Sequence, residues 1–97
     1  MQPVTEIAFF YAQPGREDDF RAAIRQAKTH IESSDGCRSL SVRQGVETPG
    51  TFVLTVEWES LEFHQAFRDS ERLALWRTPI APLFDRPPFV EHYALVE

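Results

Sequence analysis

The sequence predicts an α+β fold with the element order β-α-β-β-α-β, in which two helical segments cover one face of a four-stranded antiparallel sheet. Three observations predict it. Four short segments have the alternation, or the β-branched and aromatic content, of strands. Two longer segments, one after the first strand and one after the third, have the apolar spacing of helices. Glycine- and proline-containing turns separate most of these segments.

The first strand and the first helix have the clearest patterns. Residues 4–12 read VTEIAFFYA, with apolar side chains on both faces, and end before Pro14-Gly15. The helix is predicted to begin at Arg16, to carry acidic residues in its first turn and to end at Asp35-Gly36. Its apolar stripe consists of Phe20, Ala23, Ile24, Ala27 and Ile31.

A hairpin is predicted in the middle of the chain. Residues 37–45 (CRSLSVRQG) alternate and have one largely polar face. A turn at residues 47–50 (ETPG) leads into residues 51–58 (TFVLTVEW), whose larger apolar residues share one side. The two segments are expected to pair as antiparallel strands.

The last third of the chain contains a broken helix and a final strand. Ser60 is predicted to cap a helix that runs from Leu61 to about Asp69, and a second helical piece covers residues 71–77. Four prolines make residues 78–88 a loop or at most one turn. Residues 89–96 (FVEHYALV) form the predicted last strand.

This order is the ferredoxin-like arrangement of two split β-α-β halves. Both helical segments would cover one face of the sheet, and the opposite face would keep apolar residues from several strands. Burial of that face against the same face of a second copy would form a dimeric α+β barrel. The sequence therefore predicts a homodimer.

Length and composition predict a single domain over residues 1–97. Hydrophobic residues make up 42% of the chain and charged residues 26%, which is ordinary for a folded domain. A chain this short buries only about 60–65% of the surface that its unfolded form exposes. A partner subunit would therefore add to its stability.

Charge and targeting signals exclude several classes of partner. The formal net charge is −5 and no basic cluster is evident, which disfavours nucleic-acid binding. No stretch approaches the roughly 18 apolar residues of a membrane span. The first residues lack the basic and apolar regions of a signal peptide, and Cys37 is the one cysteine. We expect a cytoplasmic protein with no membrane or nucleic-acid partner.

Several motifs resemble one family. Residues 15–20 (GREDDF) resemble the G-x-E-x-x-F opening of the first helix in antibiotic biosynthesis monooxygenase domains. Residues 56–60 (VEWES), followed by Phe63-His64 and residues 67–70, resemble the strand-to-helix segment of that family. Residues 87–93 (PPFVEHY) resemble its last strand. The resemblance covers nearly the whole chain, in the expected element order.

The resemblance implies a dimeric α+β barrel with a pocket between the helices and the sheet of each subunit. Some family members oxidise anthrones or hydroquinones with molecular oxygen and use neither metal nor flavin, because the deprotonated substrate itself reduces oxygen. Others degrade haem, act on small signalling molecules or have no known activity. The resemblance therefore implies a small aromatic substrate or ligand and no bound cofactor.

The residues of the haem-degrading members are absent from this sequence. Those members use an asparagine on the first strand, a tryptophan on the second helix and a histidine beyond it. Alignment on Gly15 and Trp58 places Ala8, Phe67 and Trp76-Arg77 at these three positions. Haem degradation is therefore not expected.

Three residues are candidates for catalysis: His64 as general base, and Trp76 and Arg77 as groups that orient a phenolate. An exposed helix histidine without a role is the alternative for His64. The predicted pocket lining consists of Phe10, Tyr11, Trp58, Phe63, Phe67 and His92.

Structural roles remain open for several of these residues. Trp58 and the phenylalanines also suit a core, and His92 also suits a hydrogen-bonded position on the sheet. A metal site at His64 and His92 is disfavoured because no third ligand follows at a recognisable spacing.

Two functions are consistent with these residues. The first is a cofactor-independent monooxygenase acting on a small aromatic phenol, anthrone or quinol. The second is a non-catalytic dimeric module of the same fold that binds a small molecule. A different reaction at the same pocket, such as isomerisation or lactone chemistry, is a third possibility that chain length and element order do not separate from these.

Overall fold

The computed structural model describes residues 2–97 and confirms the predicted four-stranded antiparallel sheet with helices on one face. In chain order its elements are β1 (Val4–Ala12), α1 (Glu17–Ala27), α2 (Thr29–Glu32), β2 (Cys37–Gln44), β3 (Thr51–Trp58), α3 (Leu61–Arg68), α4 (Glu71–Arg77), a 3₁₀ turn (Ala81–Leu83) and β4 (Phe84–Tyr93).

The sheet order β2-β3-β1-β4 places β1 in the centre, between β3 and β4. Alternation along β1 directs Glu6, Ala8, Phe10 and Ala12 towards the helices, and all four are buried. Glu6 lies opposite His92 of β4 in the strand register. The one carboxylate on the inner face of β1 therefore lies beside a histidine of the neighbouring strand.

The core lies between the sheet and the helices. Phe20, Ile24 and Ile31 project from α1 and α2 onto the inner side of β3, where Phe52, Leu54, Val56 and Trp58 are almost completely buried. Burial of each such large apolar side chain contributes about 1.5–3 kcal/mol. This core fixes the sheet against the helices on which the site residues lie.

The first helical segment is divided, where the sequence predicted one continuous helix. α1 ends at Ala27, and α2 continues from Thr29 to Glu32 with Lys28 still in the helical region. The hydroxyl of Thr29 donates to the carbonyl of Gln26, which gives the local backbone a partner outside the regular helical pattern. The stripe from Phe20 to Ile31 nevertheless stays buried.

Gly36, which follows the first helical segment, has a positive φ of +82°. A Cβ at this position would lie 2.2 Å from Cγ of Phe63. We expect Gly36→Ala to lower the free energy of unfolding by about 3 kcal/mol, because the left-handed backbone and the steric overlap both add cost.

Gly15 provides a matched control, since it has the same φ of +82° with open space around its Cβ position. Gly15→Ala should cost only about 1 kcal/mol. Urea denaturation of both variants measures the difference. Equal losses would show that Phe63 moves aside without cost.

The last strand begins earlier than the sequence predicted, at Phe84 instead of Phe89, and ends at Tyr93 instead of Val96. The prolines at 87 and 88 predict a loop in place of a strand. They are accommodated because β4 is an edge strand and its pairing with β1 shifts register near them. The predicted loop is thus shorter than expected, and the 3₁₀ turn lies within it.

The outer face of the sheet carries apolar side chains that no helix covers. Phe9 of β1 lies opposite Phe89 of β4, and their ring centroids are 6.4 Å apart. The side chains of Phe89 and Tyr93 are about half exposed, at 51% and 44%. This uncovered face is the surface from which the sequence predicted a homodimer.

Candidate functional site

A cavity of about 400 Å³ lies between the helices and the inner face of the sheet. Roughly 300–1,000 Å³ is typical of small-molecule sites, so a ligand of one or a few rings would fill it. Its walls combine aromatic side chains with two histidines, a carboxylate and two arginines: Glu6, Phe10, Ile31, His64, Phe67, Arg68, Leu73, Trp76, Arg77, Phe84, Pro88, Val90 and His92.

The carboxylate of Glu6 is held at the base of this site by Trp58. The indole Nε1–H of Trp58 donates to Oε1 of Glu6 at 2.9 Å, and both side chains are buried. An indole N–H can only donate, so the bonded carboxyl oxygen must accept. Burial raises the pKa of Glu6, while the Trp58 hydrogen bond and the charge of Arg68 lower it by less.

His64 connects this carboxylate to the second histidine. Its Nε2 lies 3.4 Å from Oε1 of Glu6, and its Nδ1 lies 2.6 Å from Nε2 of His92. The ring stacks on Trp58, with centroids 5.1 Å apart and an interplanar angle of 14°. The result is a continuous chain of polar groups from Glu6 through His64 to His92, which we call the Glu-His-His chain.

The positions of protons along this chain follow from what each group can donate. With Glu6 ionised, Nε2–H of His64 faces the carboxylate, and Nδ1 of a neutral His64 is then an acceptor. Because Nδ1 of His64 accepts, Nε2 of His92 must carry the proton that it donates. Nδ1 of a neutral His92 then has no proton. Within residues 2–97, Nδ1 of His92 has no hydrogen-bond partner. The chain therefore ends in a free basic nitrogen.

Both histidines are neutral at pH 7. Burial, then the charges of His92 and Arg68, lower the pKa of His64 to about 4. Burial and the charge of Arg68 also lower the pKa of His92, which is only partly buried. A neutral imidazole is the form that can accept a proton.

The rest of the wall is aromatic. Phe10 meets the edge of Trp76, with centroids 5.9 Å apart, and stacks on Phe84 at 5.6 Å. Phe67 lies near His64, with ring centroids 6.3 Å apart. These rings offer flat apolar surfaces to a planar ligand.

The structure brings six of the nine predicted site residues to this cavity: Phe10, His64, Phe67, Trp76, Arg77 and His92. Trp58, Phe63 and Tyr11 do not line it. Trp58 lies behind Glu6 and His64 and is completely buried. Phe63 lines a separate, smaller depression beside Ser34, and Tyr11 points to the outer face of the sheet, where Arg86 stacks on its ring at 4.0 Å.

Two charged residues of the cavity, Glu6 and Arg68, were absent from the sequence-based prediction. Alternation along β1 could have identified Glu6, since it places this carboxylate on the same face of the strand as the buried Ala8 and Phe10. No pattern singled out Arg68, which ends α3 one turn after His64. Its proximity to the chain depends on how α3 packs on the sheet.

The three members of the Glu-His-His chain are not arranged to chelate a metal ion. The two ring nitrogens of His64 point to different partners, one to Glu6 and the other to His92. The three donor atoms therefore form a line and do not converge on one point. Within residues 2–97, no group of three or more His, Cys, Asp or Glu side chains is arranged to hold a metal ion.

The fold and the cavity define a small ferredoxin-like α+β protein with an aromatic-walled cavity between helices and sheet. The sequence model of the antibiotic biosynthesis monooxygenase family matches residues 3–78. The chain belongs to this family, as its motifs predicted.

Three known proteins illustrate the similarity. The uncharacterized protein YczJ of Bacillus subtilis (strain 168) is 33% identical over 91 residues, which cover 93% of this chain and 96% of YczJ. The structure of a candidate antibiotic biosynthesis monooxygenase from Bordetella bronchiseptica is 34% identical, with a TM-score of 0.91 and complete coverage of both chains. SnoaB, a cofactor-independent oxygenase from Streptomyces nogalater, has a TM-score of 0.86 at 10% identity, covering 100% of this chain and 96% of SnoaB, and so shares the fold.

One further observation concerns membranes. In the part of the chain from residue 2 onward, none of the helices has both the length and the apolar character that spanning a bilayer requires.

Proposed function

We propose that this protein is a cofactor-independent monooxygenase that oxidises a small aromatic phenol, anthrone or quinol with molecular oxygen. The observation that carries the proposal is the Glu-His-His chain, which ends in a free imidazole nitrogen beside an aromatic-walled cavity. Membership of the monooxygenase family supports it, and so does the fold shared with SnoaB, which is named as an oxygenase of this kind.

The first chemical step would be removal of a proton from the substrate. Nδ1 of His92 accepts this proton, and the positive charge that results is stabilised through His64 by the carboxylate of Glu6. A positioned base of this type contributes about 10²–10⁴-fold to a rate. The buried carboxylate also holds His64 in the tautomer that leaves Nδ1 of His92 free.

The remaining steps use the electrons of the substrate. For an anthrone, the carbanion gives one electron to O₂, and the superoxide formed joins the carbon radical. The peroxide then takes back the proton from the histidine pair. Loss of water converts the carbon–hydroperoxide into a carbonyl, so that a CH₂ group and O₂ become a C=O group and H₂O. The aromatic walls would exclude bulk water from the carbanion, and Trp76 and Arg77 would orient the phenolate oxygen.

The test is oxygen uptake by the purified protein with a panel of anthrones and hydroquinones, in the presence of a metal chelator. We expect uptake that depends on the native protein, with an oxidised product in mass spectrometry. Heat-treated protein and a protein-free blank are the controls. Uptake no faster than the blank across the panel, with ligand binding intact, would favour the alternative below.

The alternative is a non-catalytic module that binds a small molecule in the same cavity. The lowered pKa of His92, and of His64 to about 4, favours it, because weakly basic histidines are poor acceptors for a proton. Saturable binding of an aromatic ligand with no product formed would support this function. The cavity and its aromatic walls would serve both functions equally.

We also propose that the protein is a homodimer joined through the outer face of the sheet, where Phe9 and Phe89 lie side by side. Light scattering should give a mass near 22.4 kDa, twice the 11.2 kDa of the chain. Phe9→Lys should shift the mass towards 11.2 kDa, because a charge would lie within the packed sheets. A monomeric native protein at micromolar concentration would contradict the dimer.

The burial of neutral His64 predicts a loss of stability in acid. In the unfolded chain a histidine takes up its proton near pH 6.5, whereas folded His64 does so near pH 4. Between these values the unfolded state binds more protons, so stability falls as the pH falls. Glu6 acts in the opposite direction above pH 4.5, because its raised pKa lets the folded state bind a proton there.

The size of this effect is at most about 3 kcal/mol between pH 7 and pH 4. Urea denaturation across this range should show a smaller loss for His64→Gln than for the native protein, since glutamine does not titrate. His30→Gln on α2 is the control and should keep the native dependence. If the free energy of unfolding depends on pH identically in the native protein and in His64→Gln, then His64 is not held neutral.

A further inference from the structure

The cavity has two arginines: Arg77, which would orient a phenolate oxygen in the proposed reaction, and Arg68, which has no role in it. Arg68 is the last residue of α3 and Arg77 the last residue of α4, and both side chains line the cavity while remaining exposed to solvent. The two side chains therefore lie where the cavity meets the solvent. The Glu-His-His chain lies deeper, with Glu6 and His64 each only 5% exposed.

Neither arginine forms an ion pair with an acidic side chain in the part of the chain that the structure describes. The ion pairs of residues 2–97 involve Arg16, Arg21, Lys28 and His64, and none includes Arg68 or Arg77. Arg68 acts electrostatically on Glu6 and on both histidines, which places its charge close to them. Its charge is thus directed into the cavity.

The charge of the lining is opposite in sign to that of the whole chain. The formal net charge of the chain is −5. The cavity has two arginines against the single carboxylate of Glu6, and both histidines are neutral at pH 7. A net positive lining on an acidic protein attracts anions into the cavity and repels cations.

We propose that Arg68 and Arg77 form an anion-binding subsite at the mouth of the cavity, so that the aromatic ligand of this protein carries an acidic group such as a carboxylate. The aromatic ring would lie between Phe10, Phe67 and Trp76. Its hydroxyl would lie between His92 and Arg77, and its acidic group at the mouth of the cavity. The planar, forked donors of arginine suit a carboxylate, to which they can give two parallel hydrogen bonds. This inference rests on the proposed function, because it assigns a substrate class to the same cavity.

A matched pair of ligands tests the subsite without any turnover. The probes are 3-hydroxy-2-naphthoate and its neutral carboxamide, which have nearly the same shape and differ in charge. Titration calorimetry at pH 7.5 under nitrogen should give a Kd for the acid about tenfold lower than for the amide. Raising the salt concentration should weaken binding of the acid and leave the amide unchanged.

Variants then assign the preference to the two side chains. Arg68→Gln and Arg77→Gln should each weaken binding of the acid about three- to tenfold and leave the amide within about twofold. Arg68→Lys and Arg77→Lys, which keep the charge, should recover part of the loss. Arg25→Gln is the matched control, because Arg25 is exposed on α1 and lies outside the cavity.

Three results would overturn the subsite: equal affinities of the native protein for acid and amide, an equal loss in Arg25→Gln, or binding of neither probe. None of these bears on oxygen uptake with neutral hydroquinones, which tests the proposed function separately. Conversely, tight binding of 3-hydroxy-2-naphthoate without oxygen uptake would support the subsite and assign it to a binding module.

Discussion

Replacing His92 or His64 with glutamine is expected to lower the rate of oxygen uptake by about 10²–10⁴-fold. His92→Gln removes the nitrogen that accepts the substrate proton. His64→Gln removes the imidazole that connects this nitrogen to Glu6. Because the two histidines act as one unit, the double variant should be little slower than either single variant. The rates are measured as initial oxygen uptake with a substrate that the native protein accepts.

A control and a folding check make this prediction specific. His30 lies on α2, away from the cavity, so His30→Gln should retain the native rate. Circular dichroism would show that each variant is folded, and binding of the product would show that its cavity is intact. A native rate in folded His92→Gln would contradict a role for this residue as base. If the fold-loss in the double variant equals the product of the two single fold-losses, the histidines do not act as a unit.

Replacing Trp58 with phenylalanine is expected to lower the free energy of unfolding by about 3 kcal/mol at pH 8. The variant loses the donor that satisfies the buried carboxylate of Glu6, at a cost of about 1–3 kcal/mol, and leaves space beside the ring of His64. The loss should be smaller at pH 5, because the pKa of Glu6 is already raised by burial and a protonated carboxyl needs the donor less.

Trp76→Phe is the control for the loss of ring volume. Trp76 is also nearly buried, at 5% exposure, but its indole N–H has no partner among residues 2–97. We expect a smaller loss for Trp76→Phe, without dependence on pH. Placing Trp58→Phe in a Glu6→Gln background should cost less than in the native protein, because no charge is then left without its donor. An equal cost in both backgrounds would contradict the importance of this hydrogen bond.

The order of elements could be predicted from the sequence because each pattern was strong in itself. The alternation of β3 and the stripe from Phe20 to Ile31 each define the face that must be buried. The start of β4 could not be predicted, because the rule that proline excludes a strand depends on position in the sheet. The prolines at 87 and 88 are tolerated since β4 lies at an edge, which is a property of the assembled sheet.

The candidate site was predictable only where a side chain's chemistry was evident without its neighbours. His64 and His92 stood out as the groups that titrate near neutral pH. Glu6 did not, although alternation placed it on the inner face, because a lone glutamate is usually solvated. Its burial becomes understandable only from Trp58, 52 residues away in the chain, whose N–H faces it. The proximity of Arg68 to the cavity likewise depends on helix packing, which no local pattern encodes.

The two prolines of β4 also hinder aggregation along one of the two edges of the sheet. An open sheet edge is a template on which further strands can add, one chain after another, into fibrils. Proline has no N–H to give to an incoming strand, and the shifted register near Pro87 and Pro88 bends the edge away from a flat template. Phe89 and Tyr93 of this strand are exposed, and alternation along β4 directs both side chains to the outer face of the sheet. The homodimer proposed through the outer face would close after two copies, whereas strand addition along the edge would have no natural end.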